Sequence, residues 1–233
     1  MKKAMFILLI LLTITNCYKS REYETISTDD ILALSTDAAA ILADGVSTLN
    51  VTAHIPANAD PSKRAITFET NGGKWRDNSK QSLTLTVNVN GDALAELQSD
   101  TKPQNVRIRA SIPNVIIQEV NVTFDKAYPE TIVVDPGCFG LKASYTDTTL
   151  IKAILKRTIG NASEGTDVSF SAIKDNGESI GSFRTITSSN SNGEATALYC
   201  IGTTTYEGQI TIIASIATPN GTITGSATIT IIK

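Results

Sequence analysis

One octapeptide pattern occurs twice in the chain and constrains everything around it. It reads Asn90-Gly91-Asp92-Ala93-Leu94-Ala95-Glu96-Leu97 and returns as Asn192-Gly193-Glu194-Ala195-Thr196-Ala197-Leu198-Tyr199. Asn-Gly is a strong turn signal because both residues tolerate positive φ. The small and apolar residues that follow alternate with polar ones, the period of a strand with one buried face. Each copy is therefore a turn feeding a strand, and the rest of the sequence aligns on the two copies.

The first repeat spans residues 31–127. Short strands are predicted at Ile31–Leu34 and Leu49–Ala53, separated by the Ala43-Asp44-Gly45 turn. Ile66 and Phe68 share a face of the next strand, which ends at Asn71-Gly72-Gly73. Leu83, Leu85, Val87 and Val89 alternate with Thr84, Thr86 and Asn88, predicting one strand with a single buried face. Val106, Ile108, Ala110 and Ile112 form another apolar row, and Val120, Val122 and Phe124 close the unit. The second repeat, residues 128–233, retraces this order. Ala143–Leu155 covers the early strands, Val168-Ser169-Phe170 matches Ile66-Thr67-Phe68, and Ile210, Ile212, Ala214 and Ile216 match Val106–Ile112. Ala227, Ile229 and Ile231 match Val120, Val122 and Phe124. Ala127-Tyr128-Pro129-Glu130 is the expected joint, because proline cannot continue a ladder. The fold class is all-β: two tandem immunoglobulin-like β-sandwiches of about a hundred residues each.

Ahead of the repeats, Lys2 and Lys3 precede an apolar run from Ala4 to Leu12, too short to span a bilayer and typical of a signal peptide over residues 1–16. Residues 17–30 carry Lys19, Arg21, Glu22, Glu24, Asp29 and Asp30 with no apolar period, which reads as a tether. The net charge of −3 supplies no basic face for nucleic acid, and aromatics at 6% leave few stacking platforms.

Two resemblances sharpen this. Ile14-Thr15-Asn16-Cys17 resembles a bacterial lipobox, in which Cys17 takes the lipid; Asn16 departs from the small residue usual before the cysteine. The order "Thr/Ser-Phe strand, Gly-rich turn, Asn-Gly-acid-Ala-x-Ala strand, Val/Ile-x-Ile-x-Ala-Ser strand" is similar to the bacterial Ig-like (Big-1) domains of invasin and intimin type, over both repeats. The resemblance implies rigid spacer or adhesion modules on a bacterial surface, with no cofactor, and with a protein or glycan partner on a host or on the envelope. The chain departs from the large adhesins of that type in having neither an outer-membrane barrel nor a lectin-like tip. With a lipid on Cys17, the expected location is the outer membrane or cell surface, each buried CH₂ of the acyl chain contributing ~0.8 kcal/mol.

Catalysis finds little support. His54 is the single histidine, which excludes a multi-histidine metal site or a His-based dyad within one chain. No Gly-x-Ser-x-Gly elbow occurs, and the carboxylate pairs Asp29-Asp30 and Asp37/Asp44 fall in the tether or in turns. Asp175-Asn176-Gly177-Glu178 is acidic but lacks the spacing of a calcium loop, so an Asx turn is the better reading. Cys138 and Cys200 leave two alternatives, a disulfide contributing about 3–4 kcal/mol in the chain-entropy model or two separate thiols. For binding, Trp75 between Lys74 and Arg76 offers an exposed loop anchor, against packing at the sandwich edge. Arg107 and Arg109 project from one strand with Lys102 nearby, either an anionic-glycan patch or a solvated strand face.

Overall fold

The computed structural model describes residues 31–233. The signal peptide over 1–16, Cys17 and the tether over 17–30 lie outside the described residues.

The first half builds nine strands: β1 (Ala33–Thr36), β2 (Ala40–Ala43), β3 (Thr48–His54), β4 (Ala65–Thr70), β5 (Lys74–Trp75), β6 (Ser82–Thr86), β7 (Asp92–Gln98), β8 (Gln104–Ile112) and β9 (Ile116–Lys126). They form a four-stranded sheet β1-β3-β7-β5 facing a five-stranded sheet β2-β9-β8-β4-β6. The second half builds eight: β10 (Thr131–Pro136), β11 (Gly140–Lys142), β12 (Thr148–Lys156), β13 (Ser169–Lys174), β14 (Ser182–Arg184), β15 (Glu194–Cys200), β16 (Gly208–Thr218) and β17 (Gly221–Ile232). These form sheets β10-β12-β15-β14 and β11-β17-β16-β13. The predicted class therefore holds, and each half has its own apolar core: one between Leu32 and Phe124, the other between Ile132 and Ile231.

The two halves share register as well as strand order. Phe68 lies opposite Ala110 and Phe170 opposite Ala214. Val106 faces Val122, as Ile210 faces Ile229. Val51 faces Ala95, as Ile151 faces Ala197. In both, one short strand adds parallel to the last long strand, with Ile41 beside Phe124 and Leu141 beside Ile231. Alternation does not reveal that parallel pairing, because its partners are distant in sequence and β2 and β11 are short; β10 escapes it because the outward Val133 interrupts the alternation of Ile132 and Val134.

The repeated turn is one device built twice. Asn88 Oδ1 accepts from the N–H of Asn90 (2.9 Å) and of Asp92 (3.0 Å); Asn190 Oδ1 accepts from Asn192 (2.9 Å) and Glu194 (3.0 Å). Gly91 has φ +91° and an added Cβ would stand 2.0 Å from Ile55 O, while Gly193 has φ +73° and would meet Leu155 O at 2.9 Å. No L-side chain fits the first position without moving the β3 end. The same turn explains a departure from expectation. The strand predicted from Leu83 through Val89 stops at Thr86, and Val89 lies exposed inside the Asn88–Gly91 turn.

Between the halves lies a joint of buried hydroxyls. Ser163, fully buried in the β12–β13 loop, donates from Oγ to Ala43 O (2.7 Å) and accepts from Ala127 N (2.8 Å). Asn161 N donates to Asp44 O (2.9 Å) and Glu164 N to Thr101 O (2.8 Å). Ser163 O in turn accepts from the hydroxyls of Thr166 and Ser189, both buried and both 2.8 Å away. The second half thus presses a loop against the base of the first, with its buried polar groups satisfied.

Candidate functional site

The candidate binding residues divide into three groups. Trp75 belongs to the core: it is fully buried and meets Phe68 edge-on at 5.6 Å between centroids. The exposed-anchor reading is therefore corrected. Its neighbours Gly72-Gly73 and the flanking charges suggest a loop, but β5 lays Trp75 opposite Leu97 on the inner face of the sheet. Trp75 has a second task, shared between its backbone and its indole. Trp75 N donates to Lys80 O (2.8 Å), Nε1 donates to Gln81 O (3.2 Å), and Trp75 O accepts from Ser79 N (2.8 Å). One buried residue thereby fixes the backbone of residues 79–81.

Lys74 and Arg76 form the second group. They flank Trp75 on the four-stranded sheet, where Arg76 Nη1 pairs with Glu96 Oε1 at 2.8 Å. That pair lowers the Glu96 carboxyl below its ordinary value, after a larger contribution from a hydrogen bond of Thr48.

Arg107 and Arg109 form the third. They lie on β8 and line an open cavity of about 510 Å³ on the outer face of the five-stranded sheet. Glu69 and Asn71 line it from the end of β4, and Lys80, Gln81 and Ser82 from the start of β6, where Trp75 holds the backbone of residues 79–81. Arg109 is fixed: Nε lies 2.9 Å from Glu119 Oε1 and Nη1 lies 4.0 Å from Glu69 Oε2, although the screened Nε–H has no aligned acceptor. Asn71 Oδ1 accepts from Arg107 N (2.8 Å), which ties the β4 end to β8. Among the described residues, neither the Arg107 guanidinium nor the Lys80 ammonium has a carboxylate within ion-pair range. The cavity thus carries two uncompensated cations on rigid strand and turn backbone. Lys102 is elsewhere, beside Lys126 and Glu164.

The other candidates resolve as follows. His54 Nδ1 lies 2.7 Å from Asp92 Oδ1 on the exposed end of β3. Asp175–Glu178 is a turn closed by Glu178 N on Asn176 Oδ1 (3.1 Å), with Glu178 paired to Lys174 at 2.9 Å. Among the described residues no three His, Cys, Asp or Glu side chains gather as a metal site. Cys138 and Cys200 are free thiols, so the bridge is not formed. Cys138 N bonds Thr149 Oγ1 from one side of β12, while Cys200 pairs with Thr148 from the other. Two strand spacings of roughly 4.8 Å separate them, beyond the reach of a disulfide. Cys200 also points away from the core, with Sγ 3.5 Å from Tyr145 O, since its neighbour Tyr199 takes the inward position.

No family model matches the sequence, and no curated protein matches it. Solved structures do. Invasin, described as a bacterial integrin-binding protein, superposes over 86% of this chain and 39% of its own with a TM-score of 0.59 at 19% identity. The adhesin InvE of Yersinia pseudotuberculosis superposes over 86% of this chain and 58% of its own with a TM-score of 0.56 at 14% identity. At such identities the likeness establishes the fold: the chain is built as a tandem of Ig-like β-sandwiches of the kind found in these adhesins. It spans well under two thirds of either protein.

Proposed function

We propose that the chain is a non-enzymatic, lipid-anchored protein of the bacterial envelope that holds an adhesin-type binding surface away from the membrane. In this reading residues 1–16 are removed, Cys17 carries the lipid, 17–30 is the tether, and 31–127 and 128–233 are the two Ig-like domains. The partner is a protein or glycan on a host or on the envelope. The observation that carries the reading is the cavity beside β8, where Arg107 and Lys80 have no ion-pair partner among the described residues and Trp75 fixes the 79–81 backbone. Desolvated or neutral surfaces need no such arrangement, whereas an anionic partner gains charge-assisted hydrogen bonds there.

A second reading, a structural spacer or accessory subunit with no ligand of its own, is favoured by one observation: the buried Ser163 joint, which stiffens the arm. The test is protease treatment of intact cells carrying the native protein, with a periplasmic lipoprotein as control. Digestion without lysis, together with adhesion to host or matrix surfaces that is lost in the Arg107→Ala/Lys80→Ala variant, supports the binding reading. Protection until lysis sinks it and leaves the periplasmic spacer.

A further inference from the structure

We infer that the cavity beside β8 takes an acidic saccharide, a sugar chain bearing carboxylate or sulfate groups; this rests on the binding reading above and names the ligand of that same site. Three features of the site select this chemistry. First, its charge is net positive in a specific way. Glu69 and Glu119 both face Arg109, so the positive potential comes from Arg107 and Lys80, one on β8 and one at the start of β6. Two cations lining one open cavity draw in an anionic group, and a guanidinium can hold a carboxylate or sulfate through two donors.

Second, what lies between the cations is neutral and hydrogen-bonding. Asn71 keeps its Nδ2 donors after Oδ1 is taken by Arg107 N, and the Gln81 amide and Ser82 hydroxyl project from the wall. Amides and hydroxyls of this kind match the hydroxyl groups of a sugar ring, each as donor or acceptor. An acidic peptide would bring backbone N–H and C=O groups that need partners of their own, which a saccharide does not. The cavity floor is the outer face of β4 and β8, whose backbone groups are already paired, and β6 closes the edge of β4.

Third, the site is preorganised. The 79–81 backbone is held by three hydrogen bonds to Trp75, and Arg109 pairs with Glu119, so binding has mainly the Arg107 and Lys80 side chains left to order. An open cavity of about 510 Å³ has the size of a few sugar rings rather than of a globular partner.

The experiment measures binding of defined oligosaccharides to the full chain by calorimetry and by amide NMR. The probes are a heparin-derived tetrasaccharide (sulfate and carboxylate), a hyaluronan tetrasaccharide (carboxylate alone), a neutral chitotetraose and a hexaglutamate peptide. Saturable binding of one or both acidic sugars is expected, with amide shifts at Asn71, Gln81 and Arg107. The neutral sugar and the peptide should not bind measurably. Arg107→Ala and Lys80→Ala should each weaken binding roughly tenfold, Arg107→Lys should recover part of that loss, and Lys74→Ala on the other sheet should change nothing. Binding should also fall as salt rises from 0.05 to 0.5 M, at concentrations on the order of those that shorten the Debye length below the cavity size. The two acidic sugars distinguish sulfate from carboxylate as the recognised group. Equal binding of hexaglutamate, or binding untouched by the Arg107 and Lys80 variants, overturns the assignment. If no acidic sugar binds while cell adhesion still depends on Arg107 and Lys80, the ligand class fails and the binding reading stands. If adhesion is also lost as a dependence, both fail.

Discussion

The two sandwiches share register strand for strand, and they part at one edge. In the first, β6 seals β4: Ile66 lies opposite Leu85 and Phe68 opposite Leu83. In the second, β13 is the last strand of its sheet, and the equivalent stretch of chain turns to β15 instead, with Thr187 N bonded to Thr196 O. The anchors are the same in both, Val87 N on Arg64 O and Ser189 N on Thr166 O, so the few residues leading into Val87 and into Ser189 correspond by position. Where β6 carries Leu83 and Leu85 inward, the second sandwich has Thr185 and Thr187. Two threonines cannot replace two leucines in covering a core edge, each leucine contributing roughly 1.5–3 kcal/mol on burial. The strand therefore goes where its hydroxyls find partners. The consequence for function is direct, because the wall of the cavity, Lys80–Ser82, is the lead-in to β6. The second sandwich has the other strands of the first but lacks β6, and with it the site.

The aromatic layer under that edge gives the largest effect. Trp75 and Phe183 hold the same place, opposite Leu97 and Tyr199, each against the phenylalanine of the neighbouring sheet. Trp75 is fully buried and Phe183 only partly. Trp75→Ala should cost about 3–5 kcal/mol, and Phe183→Ala about half that, read by chemical denaturation of the full chain. Trp75→Ala should also weaken binding at the cavity, since it removes the Nε1–H bond to Gln81 O while keeping the two backbone bonds to residues 79 and 80. Comparable costs at the two positions would mean that the open edge is better covered than its burial suggests.

Next comes the joint, where hydrogen bonds tie the two sandwiches together. Ser163→Val removes a hydroxyl and leaves Ala43 O and Ala127 N buried without their partner. The expected loss is about 2–4 kcal/mol, with a broader distribution of end-to-end dimensions in small-angle scattering. An unchanged scattering profile would show that Asn161 and Glu164 hold the halves together unaided.

Much of this architecture was legible in the residues alone. The Asn-Gly turns located the strands, and alternation found Val106–Ile112 and Ile210–Ile216 with their faces assigned correctly. Trp75 was misleading because a two-residue strand between glycines and charges has no period to read. The joint was invisible for a different reason. Asn161-Ala162-Ser163 is an ordinary loop sequence, and only docking against Ala43 and Asp44, far away in the chain, gives its serine a role. Arg107 and Arg109 were recognised as projecting from one strand, but which of them is already neutralised depends on Glu69 and Glu119 from neighbouring strands.

Amide exchange tests the edge itself with a smaller perturbation. Even-numbered residues of β4 and β13 direct their backbone groups outward, as shown by Thr70 N on Gln81 O and Lys174 N on Glu178 O. The outward amides of Ile66 and Phe68 are covered by β6; those of Val168 and Phe170 have no strand beside them among the described residues. Exchange at Val168 and Phe170 should be at least about tenfold faster. Leu83→Thr/Leu85→Thr should bring Ile66 and Phe68 toward the same rate, at a cost of about 2–4 kcal/mol in the first sandwich only. Persistent protection would show that turn closure, not the two leucines, retains β6.

Acid provides a gentler lever on the joint. Asp44 is buried, which pushes its carboxyl up, but hydrogen bonds from the backbone N–H groups of Ser47 and Val46 and from the hydroxyls of Ser47 and Ser99 outweigh this and hold it below its ordinary value of 3.8. The folded state thus favours the ionised form. Its contribution is fully present above the unfolded value and is lost as pH falls through the lower folded one. Titration from pH 6 to pH 2.5 should loosen the Asp44–Ser47 turn that receives Asn161. Asp44→Asn should remove that acid sensitivity while keeping an acceptor for the turn. The second sandwich has Ser144 at this position, with Thr146 N bonded to its Oγ at 3.2 Å, and its corresponding turn carries its carboxylate at Asp147 instead, accepting from Lys142 N at 2.6 Å.

The smallest expected effect is none. With Cys138 and Cys200 on opposite sides of β12, a reductant has no bridge to break in the second sandwich, and its unfolding midpoint should be the same with and without dithiothreitol. Closing the bridge would require β12 to be displaced from between them, breaking its ladder to β10 or β15. That cost exceeds the roughly 3–4 kcal/mol a loop of this length returns in the chain-entropy model. The comparison with the first sandwich explains why a cysteine is tolerated there at all. Gln98, in the position of Cys200, donates from Nε2 to Gly45 O at 2.5 Å, while Cys200 Sγ approaches the carbonyl of Tyr145. Both side chains tie the end of the strand to the same turn, the amide strongly and the thiol weakly. Cys200→Ser should preserve that tie and leave stability within about 0.5 kcal/mol. A large loss with Cys200→Ser, or a midpoint that falls on reduction, would mean that the thiol has a partner other than this turn.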